Sequence, residues 1–325
     1  MFRKILCAAV MMLFGASIAM AAPVTLKLGH IAEPDNPYGQ GADHFAKLVK
    51  ERSNGEIDVK VFPSSQLGDQ RDLVEGLGLG SVDMTLTGTA VLGNFIPGMA
   101  VFDLPFIFRD VNHAYKALDT VGMDMAKAGE KNGAVTLAIW ENGIRHMTNN
   151  KRPINKPEDM KGLKMRVMEQ PVYMDMMRAL DASPTPMAMS ELYTSLQKGT
   201  IDGQENPLAH IATKHFNEVQ KHLSLTGHTY ASEPLLISKR AWDKLTPEQQ
   251  KILKQAAEDT RDWERQLCRD LEGKYLQQIK DAKTTEVVEE NAIDKEAFAK
   301  ATRPAWDKYI KQYGDENIKK IQAIQ

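Results

Sequence analysis

The residues best suited to chemistry lie in the stretch 162–207, where an arginine and an asparagine fall near predicted strands. Arg166 sits inside a short apolar strand pattern, and Asn206 follows an apparent strand end further along. A guanidinium is permanently charged and offers a rigid fork of donors, so it suits a carboxylate held away from water. A surface ion pair with an Asp or Glu is the commoner role for a lone strand arginine. The local pattern therefore leaves both roles open for Arg166.

Other polar side chains fall at or just past the ends of predicted strands. Ligands of α/β sheets lie beyond the carboxyl ends of the strands, so these residues are candidates for a binding cleft. With Arg166 and Asn206, the set comprises His30, Thr87, Thr89, Arg145, Glu169 and Gln170. Trp140 is more typical of a core residue than of a ligand platform.

Catalytic and metal signatures are missing from the sequence. None of the eight histidines pairs at i, i+4, and there is no HExxH or G-x-S-x-G motif. Gly76, Gly78 and Gly80 end a predicted helix instead of opening one after a strand, which excludes a dinucleotide fingerprint. We expect no metal site and no cofactor. An exported lyase or isomerase stays as a weak alternative, because no acid and base pair stands out.

The elements that must position these residues alternate between strands and helices. Strands are predicted at 24–28, 57–62, 82–86 and 134–140, with helices at 41–52 and 73–79 between the first three. This order predicts an α/β protein with a mostly parallel, doubly wound sheet. The stretch 141–143 breaks the pattern, and a second α/β run starts at 160. That run holds a strand with Arg166, helices at 172–180 and 190–198, and a strand before Asp202. We therefore predict a crossover between two domains near residue 142.

A long helix is predicted to begin after Thr246. Thr246 can cap, Pro247 suits the first helical position and Gln249 completes a capping box. An apolar stripe along the helix comprises Trp263, Leu267, Leu271, Tyr275 and Ile279. About thirty residues at 1.5 Å each span roughly 45 Å, enough to touch both domains.

The N-terminus has the pattern of a secretory signal, with Arg3 and Lys4 before an apolar run and a cleavage site after Ala21. Its removal leaves 39 of the 41 basic side chains against 43 acidic ones, a balance that argues against nucleic acid. Cys268 is then the one cysteine, so no internal disulfide can form. We expect a soluble periplasmic monomer.

Several long motifs follow one another along almost the whole mature chain. They are FPSSQLGDQRDLVEGLGLGSVDM, VFDLPFIF, WENGIRHMTNNKRPI, DMKGLKMRV, ASPTPMAMSELYTSLQKGTIDGQENP and FNEVQKHLSLTGHTY. In these the chain resembles the solute-binding proteins of tripartite ATP-independent periplasmic (TRAP) transporters, of the C4-dicarboxylate-binding type. The resemblance implies a two-domain periplasmic-binding-protein fold with hinge strands and a long helix spanning both domains. Domain I would cover 22–142 with 232–271, and domain II 143–231 with 272–325.

The resemblance also implies a site between the domains, which close over a ligand. The arginine of the GLKxR motif, Arg166, would form a salt bridge with a ligand carboxylate, while Arg145 and Asn206 add donors. We interpret the remaining candidates as hydrogen-bond acceptors or apolar walls. The acceptors are Glu169, Gln170, His30 and Glu33, and the walls are Trp140 and Met189. Thr87 and Thr89 occupy a stretch that carries charges in the sialic-acid-binding branch, so sialic acid is not expected.

The implied function is capture of a small organic acid of sugar-acid, keto-acid or dicarboxylate type and its delivery to a membrane permease. The alternative is a periplasmic sensor of the same ligand that feeds a receptor kinase. The sequence does not choose among these ligands.

Overall fold

The structure is a computed structural model that describes residues 22–325, so the predicted signal sequence lies outside the described residues. Its strands are β1 Val24–Gly29, β2 Ile57–Phe62, β3 Met84–Leu86, β4 Ala134–Asn149, β5 Lys164–Val167, β6 Ser183–Pro186, β7 Gly203–Pro207, β8 His222–Ser238 and β9 Glu286–Val288. Its α-helices are α1 Pro37–Arg52, α2 Gln70–Leu79, α3 Thr89–Leu92, α4 Val111–Ala117, α5 Met123–Ala126, α6 Pro171–Ala179, α7 Met189–Lys198, α8 Leu208–Thr213, α9 Lys239–Trp242, α10 Pro247–Ala282, α11 Lys295–Ala301, α12 Arg303–Tyr313 and α13 Glu316–Gln322. Within 22–325, no helix has both the length and the apolar character needed to cross a bilayer.

The nine strands of residues 22–325 belong to one sheet of order β2-β1-β3-β8-β4-β7-β5-β6, with β9 beside β8. Parallel pairs build each end: β1 with β2 and β3 in what we name the first lobe, and β5 with β6 and β7 in the second lobe. We assign α1–α3 to the first lobe and α6–α8 to the second. The long strands β4 and β8 pair antiparallel between the lobes. The predicted α/β class with hinge strands is confirmed.

The predicted end of the fourth strand at residue 140 is wrong. β4 continues to Asn149, and its register against β8 shifts between Glu141 and Gly143. Asn142 is thus the extra residue of a β-bulge, and Gly143 adopts φ 122°, a conformation open to glycine. The Glu-Asn-Gly sequence resembles a turn, but here it bends a continuous strand between the lobes.

The predicted strand before Asp202 is also misplaced, because β7 begins after it. All five residues of β7 are buried although their sequence is GQENP. This central strand lacks apolar character because its polar side chains hydrogen-bond to one another and to β4. Asn206 and Arg145 therefore lie within paired strands, not past their ends.

The helix predicted after Thr246 is α10, with 36 residues and the expected capping box between Thr246 and Gln249. It packs on α1 and β4 and also on α8, so it contacts both lobes. The predicted stripe is correct at Tyr275 and Ile279 and wrong at Trp263, which is 38% exposed. Trp263 instead stacks on His44 with ring centroids 4.2 Å apart.

The middle of α10 is buried through polar residues. Glu264 accepts from the backbone N–H of Glu141 at the bulge (3.0 Å), and Arg265 pairs with Asp119 (2.8 Å). Cys268 is buried and donates to Glu264. An apolar stripe fails here because the bulged strand needs hydrogen-bond partners from the helix.

The predicted domain boundaries remain a prediction. The C-terminal helices contact both parts of the chain: Trp306 and Ile321 pack in a cluster with Phe102 and Leu118, while α12 also packs on α6. These helices therefore brace the two lobes.

Candidate ligand-binding cleft

A cavity of about 180 Å³ lies between the lobes beside the β4 bulge. From the first lobe and the loops next to it, Ile31, Asp69, Gln70, Arg71, Asp72, Val91 and Asn94 line it. β4 contributes Asn142 and Arg145. From the second lobe and its loops, Arg166, Met168, Glu169, Met187, Ala188, Met189, Asn206 and His210 line it. The cavity therefore joins three arginines with polar groups from both lobes.

Arg166 is buried on β5 and lines this cavity. Its Nε and Nη2 donate to the carbonyl oxygen of Met187 at 2.9 and 2.7 Å. Its Nη1 is buried and has no hydrogen-bond partner among the described residues. Burial lowers the pKa of Arg166 to about 10, although Glu205, Asp69 and Glu169 act to raise it. Arg166 is thus a positive charge held in place with a free donor, which suits a carboxylate.

Arg145 is equally buried but is already paired. Its Nε donates to Glu205 Oε2 at 2.5 Å and its Nη2 to Glu205 Oε1 at 2.9 Å. Burial alone would lower the pKa of Arg145, but the Glu205 carboxylate raises it above its ordinary value. The guanidinium also lies over the Tyr173 ring, 5.5 Å from its centroid. This arginine is anchored to the protein first and offers the cavity only its remaining donors.

A chain of buried, hydrogen-bonded side chains holds Glu205 in place. His228 Nε2 lies 3.2 Å from Glu205 Oε2, and its Nδ1 lies 2.7 Å from the Thr226 hydroxyl. Burial lowers the pKa of His228 against the opposing effect of Glu205. Burial would raise the pKa of Glu205, but Arg145 and His228 hold it below its usual range. Glu205 therefore stays ionised and compensates Arg145.

Strand pairing explains why Arg145, Arg166 and Asn206 meet. β7 pairs with β4 on one side and with β5 on the other, which sets Asn206 opposite His146 and Gln204 opposite Arg166. Asn206 Oδ1 accepts from Arg145 Nη2 at 3.1 Å, and its Nδ2 donates to Gln204 Oε1 at 2.5 Å. The three residues expected to contact a carboxylate thus converge on one cavity.

Glu169 and Met189, also predicted, line the same cavity. Glu169 is half exposed and lies 3.4 Å from Arg71. Met189 packs against apolar clusters of both lobes. Gln170 does not line the cavity, because its side chain accepts from the Val172 N–H and caps α6. A residue that precedes a helix often serves as its cap, which competes with ligand binding.

The remaining predicted residues stand away from the cavity lining. Thr89 accepts from the Ser232 hydroxyl at 3.2 Å, and Glu33 pairs with Lys214 at 2.8 Å. His30 and Thr87 are buried, and their polar side-chain atoms have no partner among the described residues. Burial lowers the pKa of His30 to about 4, so its ring is neutral at pH 7.

Trp140 belongs to the core and does not wall the cavity. It is fully buried, donates from Nε1 to the Ala257 carbonyl at 3.1 Å and packs edge-on against Phe45. Successive strand residues face opposite sides of the sheet, and its side chain points toward α1 and α10.

His210 is a cavity residue that the sequence prediction missed. It lies on α8, four residues after Asn206, and is fully buried. Its Nε2 is 3.3 Å from the Tyr38 hydroxyl, while its Nδ1 has no partner among the described residues. Burial lowers the pKa of His210 well below its ordinary value. Its position just after β7 is the signal that could have identified it.

Asn142 and Gln70 were missed as well, and both are held by Glu233. Asn142 Nδ2 donates to Glu233 Oε2 at 2.9 Å, and Gln70 Nε2 donates to Glu233 Oε1 at 3.2 Å. Asn142 Oδ1 is buried and without a partner in the described part of the chain. Burial raises the pKa of Glu233 to about 8. The only sequence signal was the break at 141–143, because bulges often redirect side chains toward sites.

Direct contacts between the lobes close the cavity. The Ser190 hydroxyl donates to Asp69 Oδ2 at 2.5 Å, and Asn94 Nδ2 donates to the Glu169 carbonyl at 2.8 Å. The Glu33–Lys214 pair joins the lobes at another point. The described arrangement is therefore a closed cleft.

A larger groove of about 450 Å³ is lined by other residues of β4 and β8. Its Lys295 pairs with Glu290, and its Arg109 is exposed to solvent. None of the described residues that line this groove is a buried arginine or lysine without an ion pair. Among residues 22–325, no cluster of His, Cys, Asp and Glu could hold a metal ion.

Two α/β lobes joined by long strands, with a buried cation facing the cleft, define a class of binding protein for small anions. The chain matches the family model of the bacterial extracellular solute-binding proteins, family 7, over residues 28–312, and it belongs to that family. The family consists of solute-binding proteins of transport systems, not of enzymes.

Relatives match over nearly the full length. The C4-dicarboxylate-binding periplasmic protein DctP of Rhodobacter capsulatus is 36% identical and aligns over 94% of this chain and 92% of its own. A TRAP periplasmic solute-binding protein from Polaromonas sp. JS666, bound to D-erythronate, is 42% identical with a TM-score of 0.90, over 93% of this chain and 99% of its own. One from Sulfurospirillum deleyianum with bound succinate is 36% identical with a TM-score of 0.88, over 94% and 100%.

Proposed function

We propose that this protein captures a small organic acid through a salt bridge between its carboxylate and Arg166, and delivers it to the membrane permease of a TRAP transporter. The observation that supports the clamp is the buried Arg166 guanidinium, whose Nη1 has no partner among the described residues. A buried cation without an acid is costly, so a ligand carboxylate would supply the missing partner.

The neighbouring groups fit the same carboxylate. Both hydrogen bonds from Arg166 to the Met187 carbonyl fix the guanidinium plane. Arg145 Nη1 takes part in no hydrogen bond of the described chain, and the Asn206 amide carries a second N–H. A carboxylate oxygen on Arg166 Nη1, with its other oxygen toward Arg145 or Asn206, uses these donors.

The ligand is a small acid. The cavity has a volume of about 180 Å³. Pockets for drug-sized ligands span roughly 300–1,000 Å³. The four-carbon acids erythronate and succinate, bound by the two structural relatives, have a size that suits this volume.

Closure of the cleft couples capture to delivery. The bulge at Asn142 gives β4 a bending point between the lobes, near the proposed domain boundary at residue 142. A ligand that touches Arg166 on the second lobe and polar groups on the first stabilises the closed form over an open one. We propose that the permease recognises this closed form.

Export completes the proposal. The apolar segment with Arg3 and Lys4 serves as a signal sequence that is cleaved after Ala21, and the mature protein works in the periplasm as a monomer. Its slight excess of acidic side chains suits a small-molecule role and not nucleic-acid binding.

Calorimetry on Arg166→Ala tests the clamp, with D-erythronate and succinate as probes. Removing one partner of a buried pair costs about 3–5 kcal/mol, which corresponds to a loss of affinity of roughly two to three and a half decades. Arg178→Ala is the matched control, because Arg178 is 57% exposed and pairs with Asp175. A loss below fivefold for the probe that the wild type binds would overturn the clamp.

A further inference from the structure

We infer that the cleft selects a short monocarboxylate that carries hydroxyl groups over a dicarboxylate, with His210 and Asn142 contacting the hydroxyls. This inference rests on the proposed capture of an acid by Arg166 and names the class of acid. It follows from the charges that line the cavity and from two buried polar atoms without partners.

The cavity has one uncompensated positive charge and can therefore compensate one negative charge of a ligand. Three arginines line it, and two of them already have acids: Arg145 pairs with Glu205, and Arg71 pairs with Glu75. Arg166 is the one lining arginine that forms no ion pair within residues 22–325. A first ligand carboxylate therefore has a partner, and a second would have none.

A second carboxylate would also meet acids. Asp69, Asp72 and Glu169 line the same cavity. Asp69 accepts from Ser65 and Ser190, and Asp72 caps the start of α2, so both are held in place. Burying a further anion beside like charges opposes binding. A neutral hydroxyl has no such penalty.

His210 and Asn142 supply what a hydroxyl needs. Both side chains line the cavity and are more than nine-tenths buried, and His210 Nδ1 and Asn142 Oδ1 have no partner among the described residues. A hydroxyl can donate and accept. It therefore satisfies the Asn142 carbonyl and suits His210 Nδ1 in either tautomer. A methylene group at the same place would leave both polar atoms unpaired.

Hydrogen bonds to other groups hold His210 and Asn142 in place. Asn142 is the bulged residue of β4, and its amide nitrogen is fixed by Glu233. His210 is held by Tyr38 from the first lobe. Neither side chain carries a charge that could replace the missing cation, because the pKa of His210 lies well below its ordinary value.

Four four-carbon acids separate the possibilities by calorimetry on the full mature protein. D-erythronate carries hydroxyls, succinate carries a second carboxylate and butanoate carries neither; D-threonate serves as the stereoisomer of the first. We expect a hydroxylated acid to bind at least about 100-fold more tightly than succinate, since an unpaired buried charge opposes binding more than a lost hydrogen bond does.

Shape-conserving variants test the proposed hydroxyl contacts of His210 and Asn142. His210→Phe and Asn142→Leu remove the polar atoms and keep most of the volume. Each should weaken the hydroxylated acid by about tenfold and change butanoate binding less than twofold. A merely structural role would weaken both acids alike. His215→Phe and Asn132→Leu repeat the substitutions at exposed positions away from the cavity, and should leave every affinity unchanged.

The outcomes distinguish this inference from the proposed function. Succinate binding as tight as that of the hydroxylated acid, with Arg166→Ala still damaging, overturns the selectivity and keeps the clamp. Equal losses of affinity for the hydroxylated acid and for butanoate in His210→Phe and Asn142→Leu overturn the proposed roles of these two residues. Failure of all the four-carbon acids to bind rejects the size class. An intact affinity in Arg166→Ala overturns the clamp itself.

Discussion

Two buried arginines face one cavity, yet their surroundings differ. Arg145 on β4 has a bidentate ion pair with Glu205, which is itself supported by His228. Among the described residues, Arg166 on β5 hydrogen-bonds only to the carbonyl oxygen of Met187. The two residues lie on strands that flank β7, so position alone does not separate them.

The difference separates an arginine whose charge the protein compensates from one whose charge it leaves uncompensated. The Glu205 carboxylate raises the pKa of Arg145, whereas burial lowers that of Arg166 to about 10. The protein completes the first charge and leaves the second incomplete. In the proposed function, a ligand carboxylate completes the second charge, with Arg166 as its anchor and Arg145 as part of the fixed frame around it.

Removal of Glu205 is expected to have the largest effect on the free protein. Glu205→Ala leaves Arg145 buried without an acid, which costs about 3–5 kcal/mol of unfolding free energy. Urea denaturation of the ligand-free protein measures this. Glu75→Ala is the control, because it removes the acid of an exposed pair with Arg71 and should cost less than about 1 kcal/mol. Equal losses in the two variants would contradict the comparison.

Replacement of Arg166 should act on stability in the opposite direction. Arg166→Met removes an unpaired buried cation at the expense of two hydrogen bonds to the Met187 carbonyl. We expect the unfolding free energy of the ligand-free protein to rise by about 1 kcal/mol, because an uncompensated buried charge costs more than an unpaired carbonyl. Arg145→Met, measured in parallel, should lose about 3 kcal/mol or more. A comparable loss in Arg166→Met would show that both arginines are structural.

The sequence predicted the main contrast only in part. Alternating strand and helix patterns made Arg166, Arg145 and Asn206 candidates, and the wider motifs implied that they share one ligand. They did not reveal that Glu205 neutralises Arg145, because that pair depends on the antiparallel register of β4 and β7. The GQENP strand also lacks the apolar pattern by which buried strands are usually recognised.

The missed residues depend on tertiary partners in the same way. Asn142 lines the cavity because of the bulge and its hydrogen bond to Glu233. His210 is held at the cavity by Tyr38 of the other lobe. The long helix shows the same limit. The sequence predicts one apolar stripe along α10, but the helix meets the polar bulge of β4 at Glu264 and an apolar cluster at Ile279. Local periodicity cannot report a change of neighbour along one helix.

Loss of a contact between the lobes should weaken binding moderately. Ser190→Ala removes the bond to Asp69 across the cleft. We expect about fivefold weaker ligand binding, or about 1 kcal/mol, and a larger radius of gyration by scattering at subsaturating ligand. Ser195→Ala on the same helix is the control, because the Ser195 hydroxyl forms no hydrogen bond within residues 22–325. Unchanged affinity in Ser190→Ala would mean that Arg166 binds its ligand without help from this closure contact.

The smallest expected effect comes from Glu233, which holds Asn142 and Gln70 of the cavity lining and can add a negative charge near Arg145. Burial raises the pKa of Glu233 to about 8, so the group is neutral below that pH and becomes ionised as the pH rises through it. Ionisation partly cancels the positive charge that attracts the ligand, and affinity should fall about two- to fivefold between pH 7 and 9. Calorimetry across this range measures the change. Glu233→Gln keeps an uncharged side chain at every pH and should flatten the profile, whereas a persisting slope in that variant would assign the titration to another group.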